Sequence, residues 1–239
     1  YAHAEGVSTL TSGVGSHAEG SSSIALGVSS HAEGFGTLAS SSFSHAEGSS
    51  SIAYGNSSHA EGFGAKSRGI ASHAEGYFTE AIGSFSHAEG TLTQALGTYS
   101  HTEGGFNTAS GVYSHAEGSN NIALGSHSHA EGYGNVALGD GSHVGGRDNV
   151  ASGSNQTVYG KYNALNNISS SFIIGGGISE PTRKDIFDAR IDNNGSGSVM
   201  LPTNAANPNN PATGSMYFNP STNLLYIYNG TAWRSASFS

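Results

Sequence analysis

Apolar and small residues return along this chain on a fixed beat, not in helical spacing. Ser23-Ile24-Ala25-Leu26-Gly27, Ser51-Ile52-Ala53-Tyr54-Gly55 and Asn121-Ile122-Ala123-Leu124-Gly125 each alternate small and large side chains. In a strand, alternation puts Ser, Ala and Gly on one face and the two large residues on the other. Seven residues before each run stands a polar counterpart with the same small positions, as in Ser16-His17-Ala18-Glu19-Gly20. Two halves make a fourteen-residue unit, and eleven histidines from His3 to His143 keep that interval without an insertion. A short uninterrupted period over more than half a chain is the signature of a solenoid. The pattern predicts two short strands and two tight turns per unit, a flattened parallel β-roll. Glycine ends each strand, where it can turn with positive φ at little steric cost.

The columns carry the next inference. Gly stands three residues after His in all eleven units and Ala directly follows His in nine. The centre of the second strand is also Ala in nine, with Thr11 and Ser67 the exceptions. Such small columns suit a thin lumen. The larger residues, Ile24, Leu26, Ile52, Tyr54, Ile122, Leu124, Val136 and Leu138, then form an outward apolar row. A row that long is too large a patch to leave in water. Three rolls around a three-fold axis would bury it, so a homotrimer is expected. Lys66/Arg68, Glu80/Ile82 and Thr108/Ser110 interrupt the row, which makes the interface patchy.

The roll is expected over residues 1–176. It degrades after 146, where Val144-Gly145-Gly146 has replaced Ala-Glu-Gly, and its last half-unit, Ser171 to Gly175, is displaced by one residue. Residues 177–201 read as a β-strand transition segment: Asp185–Ile191, a turn at Asn193-Asn194-Gly195, and a return strand over Ser198–Leu201. Residues 202–214 are a Pro/Asn-rich linker. Residues 215–239 form a C-terminal β-hairpin module from Met216-Tyr217-Phe218 and Leu224–Tyr228, closed by Asn229-Gly230 and Trp233.

The Ser-x-Ala-x-Gly halves resemble the YadA-like head repeats of trimeric autotransporter adhesins. That resemblance implies an all-β, left-handed parallel β-roll packed as a trimer. The Ser-His-Ala-Glu-Gly version looks more like the repeats of phage and large-virus fibre proteins. Phe172-Ile173-Ile174-Gly175-Gly176-Gly177 with Arg183 and Asp185-Ile186-Phe187 is similar to segments that follow such repeats in phage tail proteins. The run from Gly214 to Trp233 resembles a small hairpin near the ends of viral fibres. The resemblance implies a tail or surface fibre at the virion surface, presenting a site for a host glycan or protein receptor. The alternatives are a bacterial adhesin head on the outer surface, or a purely structural filament subunit.

Composition narrows the chemistry. The chain has 239 residues, no cysteine and a formal charge of −9, and ten of its seventeen acidic residues are the repeat Glu. Without a basic stripe no nucleic-acid partner is expected, and no apolar run approaches the length that spans a bilayer. Tyr1 lies inside a unit, with Ala2 where Ser usually precedes His, so further sequence is expected before it. Ser precedes His in ten units, whereas nucleophilic catalysis needs one unique Ser with a base and an oriented acid. Glycan hydrolysis likewise needs a unique acidic pair. No enzyme activity is expected.

His17, Glu19, His31, Glu33, His45, Glu47 and their copies are expected to be hydrogen-bonded structural rows. Each Glu charge would be partly balanced by protonated His, and the groups would titrate together. A zinc ladder is the alternative, because imidazole and carboxylate both bind zinc. A site is rarely copied so often, so neither a metal nor a cofactor is expected. His127-Ser128-His129 is a His-x-His pair that could chelate on a three-fold axis, but His127 falls in a turn and reads as solvated. Aromatic turn residues such as Phe63, Tyr77, Phe85, Tyr99 and Tyr113 would pack between chains or stack on sugars.

Overall fold

Fourteen residues close one turn of a solenoid because both halves pair with their own copies one unit away. In the first half His17↔His31, Ala18↔Ala32 and Glu19↔Glu33 lie in parallel register; in the second, Ile24↔Leu38 and Ala25↔Ala39 do. The computed structural model describes residues 1–191, 195–201, 207 and 211–236. It is all-β, a parallel β-solenoid of about twelve turns with a small antiparallel three-stranded sheet at the C-terminus. The first-half strands, such as His17–Ser21, build one wall, and the shorter second-half strands, such as Ile24–Ala25, build the other.

The lumen is as thin as the sequence requires. Ser16, Ala18, Ser23, Ala25, Gly27 and Ser30 all point inward in one coil, and Ala18 and Ala25 are wholly buried. From Ser16 to Ser114 the serine before His caps its turn: Ser16 Oγ donates to the Gly13 carbonyl at 2.7 Å and Ser30 Oγ to Gly27 at 2.8 Å. The two glycine columns differ in a way the sequence reading missed. Gly20 and its equivalents lie on the surface with φ of 91–110°. The Gly27 column, with Ser41 in one coil, lies inside with ordinary φ; in both columns a Cβ meets the next coil's backbone, 2.0 Å from the Gly111 carbonyl oxygen at Gly97 and 2.2 Å from the Gly34 carbonyl oxygen at Gly20.

The left-handed step falls two residues after each glycine, often on a side chain that dislikes it. Ser22 has φ 59°, Phe85 59° and Tyr99 57°, a conformation costing roughly 1–2 kcal/mol for a residue with a Cβ. It is held because the strained N–H donates back to the coil before it, as Phe85 N does to Ile70 O at 2.8 Å.

Toward the C-terminal half, the column that starts with Ser23 and Thr37 becomes Asn107, Asn121, Asn135, Asn149 and Asn163. Each buried amide is fully used. Asn121 Oδ1 accepts from Asn135 N at 2.8 Å, while its Nδ2 donates to the carbonyls of Glu117 and Gly132. The last of the row ends the second wall: Asn163 Oδ1 accepts from Val150 N at 2.8 Å and its Nδ2 donates to Val150 O at 2.9 Å. One side chain thus stands in for the peptide group of an absent strand.

The first wall continues further. Ser171–Gly176 pairs with Thr157–Lys161 in the register Thr157↔Phe172, one residue beyond the fourteen-residue step. Asp185–Ile191 then adds antiparallel, followed by Gly197–Met200. Asn193 and Asn194 of the expected turn, and most of the expected 202–214 linker, lie outside the described residues. The expected terminal hairpin has a third strand: Trp233–Ala236 pairs with Leu224–Tyr228, which pairs with Met216–Asn219. Tyr217 is buried, stacked on Tyr226 at 5.1 Å and meeting the Trp233 ring edge-on at 4.9 Å.

Two substitutions separate clearance from composition. Gly97→Ala is expected to cost at least about 3 kcal/mol, because the backbone it meets cannot yield. Gly105→Ala, with nothing within 4 Å of its Cβ, should stay within about 0.5 kcal/mol; denaturant unfolding measures both. Asn121→Ala strands the Asn135 N–H and the Glu117 carbonyl inside the roll, while the Gly132 carbonyl keeps the Ser119 N–H, so a loss of about 3 kcal/mol is expected. A loss under about 1 kcal/mol would contradict the ladder's role.

Candidate functional site

Alternation leaves the histidines and glutamates on the outer face of the first wall, and the parallel register turns each into a row. Successive imidazoles are stacked: His31–His45 centroids are 4.8 Å apart at 9°, and His59–His73 4.8 Å apart at 2°. Each Glu leans toward the histidine of the next coil. His45 Nε2 lies 3.3 Å from Glu33 Oε1, His129 Nε2 3.2 Å from Glu117, and His31 Nε2 3.9 Å from Glu19. Glu47 sits between His45 and His59, 4.0 Å from each. The residues do form rows, but His–Glu hydrogen bonds close only at His45–Glu33 and His129–Glu117 among the described residues; elsewhere the carboxylate lies beside the imidazole without bonding to it.

Their charge state differs from the expectation. Partial burial, reinforced by repulsion from neighbouring imidazoles, holds His31, His59, His87, His101, His115 and His129 below the usual histidine range. Protonated histidine is thus disfavoured as the balance for the glutamates. The glutamates relieve one another instead. Hydrogen bonds to Glu47 and Glu75, with burial, push Glu61 up to about 8, and bonds to Glu75 and Glu103 push Glu89 up to about 7. Glu33 and Glu117 are raised for the same reason. The carboxylates between them, Glu19, Glu47, Glu75 and Glu103, are lowered by the hydrogen bonds they accept. Raised and lowered carboxyls alternate from Glu19 to Glu117, because full ionisation would stack like charges one strand spacing apart.

The second wall presents the apolar row. Leu26, Tyr54, Leu124 and Leu138 are each 40–45% exposed, with Ile24, Ile52 and Val136 beside them half-buried and Ile122 slightly more open. The interruption is locally compensated: Lys66 and Glu80 are register partners and pair at 3.3 Å, and Arg68 covers the Tyr54 ring at 5.1 Å.

One turn edge carries an aromatic ladder that the sequence reading did not join up. Phe85–Tyr99, Tyr99–Tyr113 and Tyr113–His127 stack at 4.9, 4.8 and 5.1 Å. Their faces are spent on one another, which leaves mainly ring edges for a sugar. His127 and His129 play separate parts: His127 is left-handed in the turn on Tyr113, and His129 is stacked between His115 and His143. The common fourteen-residue offset of these rings, and of the five asparagines, was the available signal for both ladders.

No family model matches the chain, and no curated protein matches its sequence.

The two rows set opposing pH slopes. Histidines held below 6.5 contribute stability above that pH and lose it as pH falls under it. Glu61 and Glu89, raised from 4.5, contribute fully below 4.5 and lose it as pH rises toward about 8 and about 7. Above pH 6.5 the raised glutamates dominate, so the melting temperature should fall from there to about pH 8. The double variant Glu61→Gln/Glu89→Gln should flatten that limb in low salt. A parent Tm that climbs over this interval contradicts proton sharing.

Proposed function

We propose that this chain is a non-enzymatic rod, a homotrimeric tail or surface fibre of a virion that holds a terminal module away from the particle for attachment. The observation that carries the reading is the exposed apolar row on an otherwise self-satisfied solenoid. Each coil's backbone is bonded to the next, as in His17 N to Ser30 O at 2.9 Å and Ile24 N to Thr37 O at 2.9 Å. The chain therefore needs no partner for its hydrogen bonds, but it does need one for Leu26, Tyr54, Leu124 and Leu138. A three-fold axis along that wall satisfies all coils with one operation.

The repeats supply stiffness, because coils about 4.8 Å apart with a close-packed lumen resist bending. Attachment belongs to the C-terminal sheet around Tyr217 and Trp233 and to the turn edges, where a host glycan or protein would dock. The viral reading is favoured over a bacterial adhesin head by the resemblance of Phe172–Gly177 and Gly214–Trp233 to fibre segments. In the structure, the first joins the roll to antiparallel strands and the second builds the aromatic sheet.

Native mass spectrometry of the full chain is expected to give a trimer. Leu124→Lys with Leu138→Lys should shift it to monomer while the β spectrum in circular dichroism persists. A parent that is monomeric at micromolar concentration would overturn the assembly. On a glycan array, loss of any signal on Trp233→Ala would assign attachment to the terminal sheet; undiminished signal would assign it elsewhere.

A further inference from the structure

The outer face of the histidine wall holds more donor capacity than the rows consume. Seven histidines, His31, His59, His73 and His87 among them, have an Nε2 shielded from water and without a hydrogen-bond partner. A buried, unpaired ring nitrogen costs free energy unless something accepts its lone pair or its proton. Beside these nitrogens the repeat places carboxylates. His31, Glu33 and His45 offer three ligand atoms within 4.8 Å of one another, as do His73, Glu75 and His87, and His129, Glu131 and His143. The residue after each Glu is Gly, so no side chain crowds the carboxylates. Between Glu47 and Gly104 they line an open groove of about 760 Å³, room for an ion that keeps a water.

The geometry points to a series of divalent transition-metal sites on this face, each formed by two consecutive histidines and the glutamate of the first. The inference does not depend on trimerisation or on attachment. Imidazole with carboxylate and no thiolate suits zinc, nickel or copper, whereas calcium and magnesium prefer oxygen alone. Zinc–nitrogen bonds of about 2.0–2.1 Å require the two nitrogens to approach to roughly 3.3 Å in a tetrahedral site. The rings, stacked at 4.8 Å in His31–His45, must therefore tilt toward each other. Their side chains are about one-third exposed, so they can tilt without disturbing the Ala lumen. Adjacent triads share a histidine, as His31–Glu33–His45 and His45–Glu47–His59 share His45. Filling one site thus excludes its neighbour. The non-overlapping set His31–Glu33–His45, His73–Glu75–His87 and His129–Glu131–His143 gives about three ions per chain.

Equilibrium dialysis of the full chain against zinc chloride is expected to show about three bound ions per chain in the micromolar range, with no competition from calcium. His73→Gln with His87→Gln, the pair whose ring nitrogens are both unpartnered, should remove one equivalent and leave the melting temperature within a few degrees. Unchanged stoichiometry in that variant would overturn the inference. If the variant does not fold, copper(II) electron paramagnetic resonance on the unaltered chain decides the matter. Nitrogen hyperfine splitting from two imidazoles is expected, and a spectrum with oxygen ligands alone overturns the sites.

Discussion

Everything in this molecule follows from backbone-to-backbone closeness between successive coils. The glycine column inside the second wall, interrupted at Ser41, leaves about 2 Å between a notional Cβ and the carbonyl of the next coil, so a side chain there has to displace backbone. That clearance fixes the fourteen-residue step, and the step fixes the register. Register turns single residue choices into columns. Alanine in the lumen contributes little burial per residue. Cohesion comes instead from continuous hydrogen bonding and from repeating the same small contact in every coil, the additive logic of solenoids.

Columns have costs as well as order. Identical charges placed one strand spacing apart repel, and the glutamate row answers by alternating raised and lowered carboxyls while the histidines stack. Identical polar atoms placed in the lumen must find partners in the same column, and the asparagines do so by reaching four residues back and into the next coil. Where the sequence breaks the apolar row it supplies the opposite charge one coil on, as Lys66 does with Glu80. These are one device seen three times. A substitution tolerable once becomes a defect or a function when repeated in register.

Much of this was legible in the residues. The period gave the two walls, the alternation gave the lumen of Ala18 and Ala25, and the shift to fifteen residues before Phe172 was visible as a displaced half-unit. What escaped notice was whatever depends on backbone dihedral or on proton position. Gly20 and Gly27 look alike in sequence and both lie too close to the next coil's backbone for a Cβ, yet only Gly20 also needs a positive φ. Trp233 read as a stop and is the start of a strand, because a three-residue turn after Asn229 needs no strong signal beyond Gly230. Protonated histidine seemed the natural counter-ion for glutamate; partial burial against stacked imidazoles works against that state, and the glutamates share protons instead.

A parallel stack with an open last rung is a template on which another chain can polymerise. Asn163 removes that hazard at one wall by presenting its amide to Val150, and the antiparallel strands beyond Ser171 turn the other wall away from parallel growth. At this end the rod carries its own terminator. Another coil meeting this end finds no parallel edge on which to continue the stack.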